Sequence, residues 1–130
     1  PEKKLELIKH ALRHHDRLVF GVLLFRLNEG VVGAVGQHHQ SHDTWLLTQN
    51  VIDDIVHQSE NYGGHAMIIT GFDDAAIAID PEGHQHQGLL TLRNSWGNKA
   101  GDEGDFYMSY DYFKVLAFEI ERIRSLEHAA

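Results

Sequence analysis

The stretch Gly63-Gly64-His65-Ala66-Met67-Ile68-Ile69-Thr70-Gly71-Phe72-Asp73-Asp74 decides the fold. Two glycines precede an apolar run rich in β-formers, and two aspartates follow it. This is the pattern of a buried strand, predicted over His65 to Phe72, with a turn at Asp73-Asp74. Downstream, Ala75 to Asp80 alternates weakly and reads as a second strand. Pro81 to Gln87 reads as a polar turn, Gly88 to Asn94 as a third strand and Asp105 to Ser109 as a fourth. Val115 to Ile123 has a period of two. Val115, Ala117, Glu119 and Glu121 fall on one side and Leu116, Phe118, Ile120 and Arg122 on the other, so a final strand with one buried face is expected.

Upstream of the glycines the pattern changes. Leu5, Ile8, Ala11 and Leu12 recur at helical spacing within Glu2 to His15. Leu18 to Leu27 is a Val/Leu/Phe-rich run that suits a central strand, and Asn28-Glu29-Gly30 is a turn signal. Gly30 to Asp43 reads as a long Gly- and His-rich loop. Thr44 to His57 is expected to be helical, with Thr44 as N-cap and Leu47, Val51 and Ile55 sharing a face. A helix followed by short strands predicts an α+β fold, an antiparallel barrel-like sheet with a helix attached. No internal repeat or linker interrupts it.

The composition narrows the function classes. The 130 residues suit one compact domain, or one lobe of a larger one, and 42% are hydrophobic. The formal net charge of −8 argues against a nucleic-acid surface, which needs clustered Lys and Arg. No apolar run approaches the roughly 18–20 residues of a membrane-crossing helix. With no cysteine in the chain, internal disulfides, thiolate zinc sites and a local thiol nucleophile are excluded. The opening Pro1-Glu2-Lys3-Lys4 lacks an initiator Met and shows no signal peptide, so a processed or excised piece is expected. Residues 1–125 form the expected lobe, with 126–130 a tail or vector scar.

His65 carries the first chemical signal. An imidazole titrates near pH 6.5, which suits proton transfer at neutral pH. Gly64 beside it permits close approach of a substrate backbone. Asn94 ends another apolar strand, and an Asn amide oxygen can accept from one ring N–H and fix the tautomer. Trp96 could cover that pair. Taken singly, His65 reads more readily as a strand-end histidine and Asn94 as a turn former.

Together the motifs say more. His65-Ala66, Gly71-Phe72, Asn94-Ser95-Trp96-Gly97, Gly101-Asp102-Glu103-Gly104 and Tyr110-Asp111-Tyr112 occur in an order that resembles the papain-like cysteine peptidases, the bacterial type in particular. The resemblance is specific over Gly63 to Phe113, thinner over Leu5 to Leu27 and absent over Gly30 to Gln58. It implies the right-hand, C-terminal lobe of a two-lobed enzyme that cleaves peptide bonds with a Cys-His-Asn arrangement. His65 would be general base and acid, Asn94 its orienting partner and Trp96 the shield over their hydrogen bond. Gly64 and Ala66 would contact substrate, with Ala66 lining the pocket for the second residue upstream of the scissile bond. The cysteine and an oxyanion-hole glutamine belong to the other lobe in that family. Here they would come from a separate chain or a preceding segment, because Gln37, Gln40, Gln49 and Gln58 lie in the wrong segment. Ala100 stands where the family commonly has Trp, and Asp105 where an aromatic is usual. With the resemblance go a peptide or protein substrate and no cofactor. Charge and hydropathy speak against nucleic-acid and membrane partners, and the location is left unassigned, with a secreted bacterial setting as the first expectation.

Two alternatives stay open. One is an inactive, peptidase-like binding or regulatory domain. The other is a metal-binding module built on the eleven histidines, for which Gln37-His38-His39-Gln40-Ser41-His42 and His84-x-His86 are the candidate clusters. Neither cluster has a known ligand spacing, and solvated loop histidines are the simpler expectation.

Overall fold

The computed structural model describes residues 2–14, 16–25, 44–57, 62–80, 82–93 and 105–123. In chain order these form α1 (Glu2–Arg13), β1 (Arg17–Phe25), β2 (Thr44–Trp45), α2 (Gln49–Val56), β3 (Tyr62–Ile79), β4 (Gln85–Arg93), β5 (Asp105–Ser109), α3 (Tyr110–Leu116) and β6 (Ala117–Ile123). The strands build one curled sheet in the order β2-β5-β4-β3-β1-β6. Its neighbours are antiparallel except at the edge, where Thr44 and Trp45 run parallel to Tyr107 and Met108. The predicted α+β class holds, and the sheet is mixed.

Pairing shows which side of the sheet is the core. On β1, Leu18, Phe20 and Val22 are buried; their partners on β3 are Ile69, Met67 and His65. Leu90, Leu92, Phe106 and Met108 extend the same layer. Helix α1 covers it with Leu5, Ile8 and Ala11, while Leu7, off the stripe, is exposed. Helix α3 adds Tyr112 and Phe113, and the Phe113 ring lies 5.5 Å from that of Phe20.

Four expectations are corrected. The chain does not reverse at Asp73-Asp74, because β3 continues unbroken to Ile79. The Ala75 amide does bond the Asp73 carboxylate at 2.9 Å, so the local turn chemistry is present. It is spent on an irregularity, in which the register with β4 shifts between Asp73 and Ile77. The hairpin reverses later, where Asp80 accepts the amides of Glu82 and His84, so β4 begins at Gln85 rather than Gly88. Thr44 is in β2, and the cap of α2 is Thr48, whose hydroxyl accepts the Val51 amide. Trp45 and Leu46 are fully buried, so these residues serve the core in extended form and the helix starts four residues late. The period-two reading of Val115 and Leu116 is overturned by α3, and β6 starts at Ala117. A register shift at Phe20/Gly21 then puts Phe118 and Ile120 on opposite faces. Phe118 lies against Gly21, where a Cβ would stand 2.7 Å from its ring. The turn at Asn28-Glu29-Gly30 and the loop Gly30 to Asp43 lie outside the described residues.

Opposite the β3 irregularity, Gly88 adopts φ +92°, and a Cβ there would come within 2.3 Å of the Tyr110 ring. Gly88→Ala is therefore expected to cost roughly 1–3 kcal/mol in urea unfolding, from positive φ and a displaced ring together. A neutral effect would show that the Tyr110 ring moves freely. That ring is otherwise held, since its hydroxyl donates to Asp74 at 2.7 Å and Lys9 of α1 reaches the same carboxylate at 2.8 Å. Burial and the neighbouring Asp74 push the Tyr110 phenol above its ordinary range, so it stays a donor.

Candidate active site

The start of β3 carries the sequence-predicted site. Gly63, Gly64, His65 and Ala66 pair with Leu24, Leu23, Val22 and Gly21 of β1. His65 is half-buried at the mouth of the core layer, one step beyond Met67 on the same face. Its ring folds back beside Gly63, where a Cβ would stand 3.8 Å from Nε2. A side chain at position 63 would touch the imidazole, so glycine keeps that flank open. Gly64 and Ala66 are exposed, and a Cβ at Gly64 would meet nothing within 4 Å. Strand alternation puts Ala66 on the outer face of the sheet, next to Phe118 across Gly21.

Asn94 and Trp96 lie outside the described residues. The residue before Asn94 is placed: Arg93 pairs with Ile68, three positions along β3 from His65.

One buttress of the site has no counterpart in the sequence reading. The fully buried Tyr112 donates its hydroxyl to the Leu23 carbonyl at 2.9 Å. Leu23 is the partner of Gly64, so α3 braces β1 directly across from the site. The buried positions Tyr110, Tyr112, Phe113 and Leu116 follow the N-cap Ser109, with the acidic Asp111 in the first turn. That spacing was the available helix signal.

The histidine clusters resolve differently. Gln37 to His42 lies outside the described residues. His84 is exposed, but His86 is not a solvated loop histidine as expected. Its side chain is 6% exposed and sits between two carboxylates, with Nε2 2.9 Å from Asp80 and Nδ1 2.7 Å from Asp111. Both ring nitrogens are thus directed at protein oxygens. Among the described residues, no group of three or more His, Cys, Asp or Glu side chains is arranged to hold a metal ion.

Comparison with known proteins decides the family. Residues 5–125 match the model of the Peptidase C1-like family. The chain belongs to this family. A stretch of 48 residues is 38% identical to aminopeptidase W of Lactobacillus delbrueckii subsp. lactis, covering 37% of this chain and 11% of that protein. The crystal structure of PepW from Lactobacillus rhamnosis HN001 superposes with a TM-score of 0.51 at 18% identity, over 94% of this chain and 26% of that one. The Peptidase C1-like chain therefore spans well under two-thirds of the relatives it matches. Its resemblance to the papain-like cysteine peptidases is borne out in family and in fold.

Proposed function

We propose that this chain is the histidine-bearing lobe of a papain-like cysteine peptidase and that the nucleophile comes from an N-terminal lobe, either a separate chain or a preceding segment. The observation that carries the reading is His65. In a Peptidase C1-like chain it stands half-buried at the mouth of β3, with glycine on its flank and exposed Gly64 and Ala66 on either side in sequence. The aminopeptidase named among its relatives acts in the same direction.

The chemistry follows from the groups. A free thiol has a pKa near 8.5 and is mostly protonated at neutral pH. His65 takes that proton, and the resulting imidazolium stabilises the thiolate. The thiolate sulfur bonds to the scissile carbonyl carbon, and His65 returns the proton to the leaving amine as the C–N bond breaks. Water, deprotonated by His65, then cleaves the thioester and releases the acid and the thiol. Asn94 would hold the His65 tautomer and Trp96 would keep water from that bond. Ala66 and Gly64 would contact the peptide.

The test is hydrolysis by the full-length protein of peptides with free and with acetylated N-termini, before and after thiol alkylation. Alkylation is expected to abolish cleavage, while this 130-residue chain alone, having no cysteine, is expected to be inert. Thiol-independent cleavage, or cleavage by the isolated chain, sinks the reading. An inactive binding domain would show peptide binding without cleavage and no cysteine upstream of Pro1.

A further inference from the structure

On the outer face of the sheet lies a cavity of about 370 Å³ lined by Arg17, Ile68, Thr70, Arg93 and Asp105. We propose that it binds a peptide carboxylate, and that Arg17 and Arg93 are its ligands. The inference rests on the proposed peptidase reading and adds to it the charge of the peptide taken.

Strand alternation puts the cavity beside the candidate site. Ala66 pairs with Gly21, and Ile68 pairs with Val19 on one side and Arg93 on the other. Met67 and Ile69, between and beyond them, are buried in the core. Ala66 and Ile68 therefore share the outer face, roughly 7 Å apart along the strand. A peptide that touches Ala66 reaches the cavity within one or two residues.

The charges then choose the ligand. Arg93 directs Nε and Nη2 at Asp105 Oδ1, at 3.3 and 3.0 Å, which leaves Nη1 uncommitted. Among the described residues Arg17 has no ion-pair or hydrogen-bond partner. Among the described residues the lining sets two guanidiniums against one carboxylate, a positive balance in a chain whose formal net charge is −8. The guanidinium fork matches a carboxylate, and Thr70, whose hydroxyl donates to the Thr91 carbonyl at 3.4 Å, completes the lining. Ile68 gives an apolar floor for the methylene stem of an acidic residue.

Two sources share this chemistry: an Asp or Glu side chain, and a peptide's own C-terminal carboxylate. The experiment measures binding of dye-labelled alanine hexapeptides to the full-length protein. In one arm a single Glu, or its isostere Gln, is moved through every position with the C-terminus amidated. In the other, all-alanine peptides carry a free or an amidated C-terminus. The carboxylate form in at least one arm is expected to bind about tenfold more tightly, the scale of one charge-assisted hydrogen bond. Arg17→Gln should erase that preference, while Arg13→Gln, an exposed control, should leave it intact. Equal binding of charged and neutral peptides in both arms, no binding at all, or a preference that survives Arg17→Gln would each overturn the proposal. A preference abolished by Arg17→Gln in a protein whose hydrolysis proves thiol-independent would sustain the site and sink the peptidase mechanism.

Discussion

A full-length protein carrying His65→Ala is expected to lose peptide hydrolysis by on the order of a million-fold, the scale seen when one member of a catalytic triad is removed. It should keep its fold. β3 is held to β1 by continuous pairing from Tyr62 to Ile69, which does not depend on the imidazole. His65 is only half-buried, at the end of the core layer, so its truncation opens no enclosed cavity. The stability cost should stay near or below about 1 kcal/mol, as for most sites outside the core. Kinetics and thermal unfolding on the same preparation separate the outcomes. Normal activity would overturn the proposed mechanism, whereas failure to fold would make His65 a structural residue. Partial return of activity on adding free imidazole would show that the missing function is proton transfer.

The strands that flank the site were legible because burial there enforces pattern. β5 was predicted to the residue, since Asp105 to Ser109 is short, β-rich and bounded by glycine. α1 was legible from Leu5, Ile8 and Ala11, all of which are buried. β1 and the start of β3 read as apolar runs because they are inner strands of the sheet. The errors fell where two local signals competed. Thr44 and Thr48 are both competent caps, and the choice between them is made by where Trp45 and Leu46 are buried. Asp73-Asp74 has the chemistry of a turn, and only the pairing of Ile77 to Ile79 with β4 shows that the strand resumes. α3 is seven residues long, too short for periodicity to outweigh the alternation that follows it.

The candidate site has a different origin. His65, Gly64 and Ala66 came from a motif, and in the structure they lie at the start of β3, His65 half-buried and Gly64 and Ala66 exposed. The buttress from Tyr112 to Leu23 joins residues 89 positions apart, and no local pattern encodes it. The pairing of His86 with Asp111 spans 25 positions and is also non-local, which is why a polar sequence around it suggested solvent.

That buried histidine carries the second large effect. Each of its ring nitrogens faces a carboxylate, an arrangement in which an imidazolium donates from both nitrogens. Asp80, 2% exposed, depends on it for a counterion beyond the amides of Glu82 and His84, with the exposed His84 ring farther off at 3.6 Å. Asp111 also accepts the Ser109 hydroxyl and the Tyr112 amide, which ties the hairpin tip to the first turn of α3. His86→Ala leaves Asp80 buried without that charge. A loss of about 3–5 kcal/mol is expected, as for breaking a buried ion pair from one side. Asp111→Asn should cost less, because that carboxylate is 44% exposed. The pH dependence distinguishes charge from packing. Burial works against the charged ring, but the bonds to Asp80 and Asp111 outweigh it and raise the His86 pKa above the ordinary 6.5. Burial likewise works against the Asp80 carboxylate, yet His86 and the amides of His84 and Glu82 hold it below 3.8. The His86 contribution is therefore full below pH 6.5 and is lost as pH rises through its raised folded value. The Asp80 contribution is full above 3.8 and is lost as pH falls through its lowered one. The stability gap between wild type and His86→Ala, measured by urea unfolding, should be widest in mild acid and narrow steadily into the alkaline range. A gap that stays constant from mild acid into that range would mean that His86 acts by filling space and not by its charge.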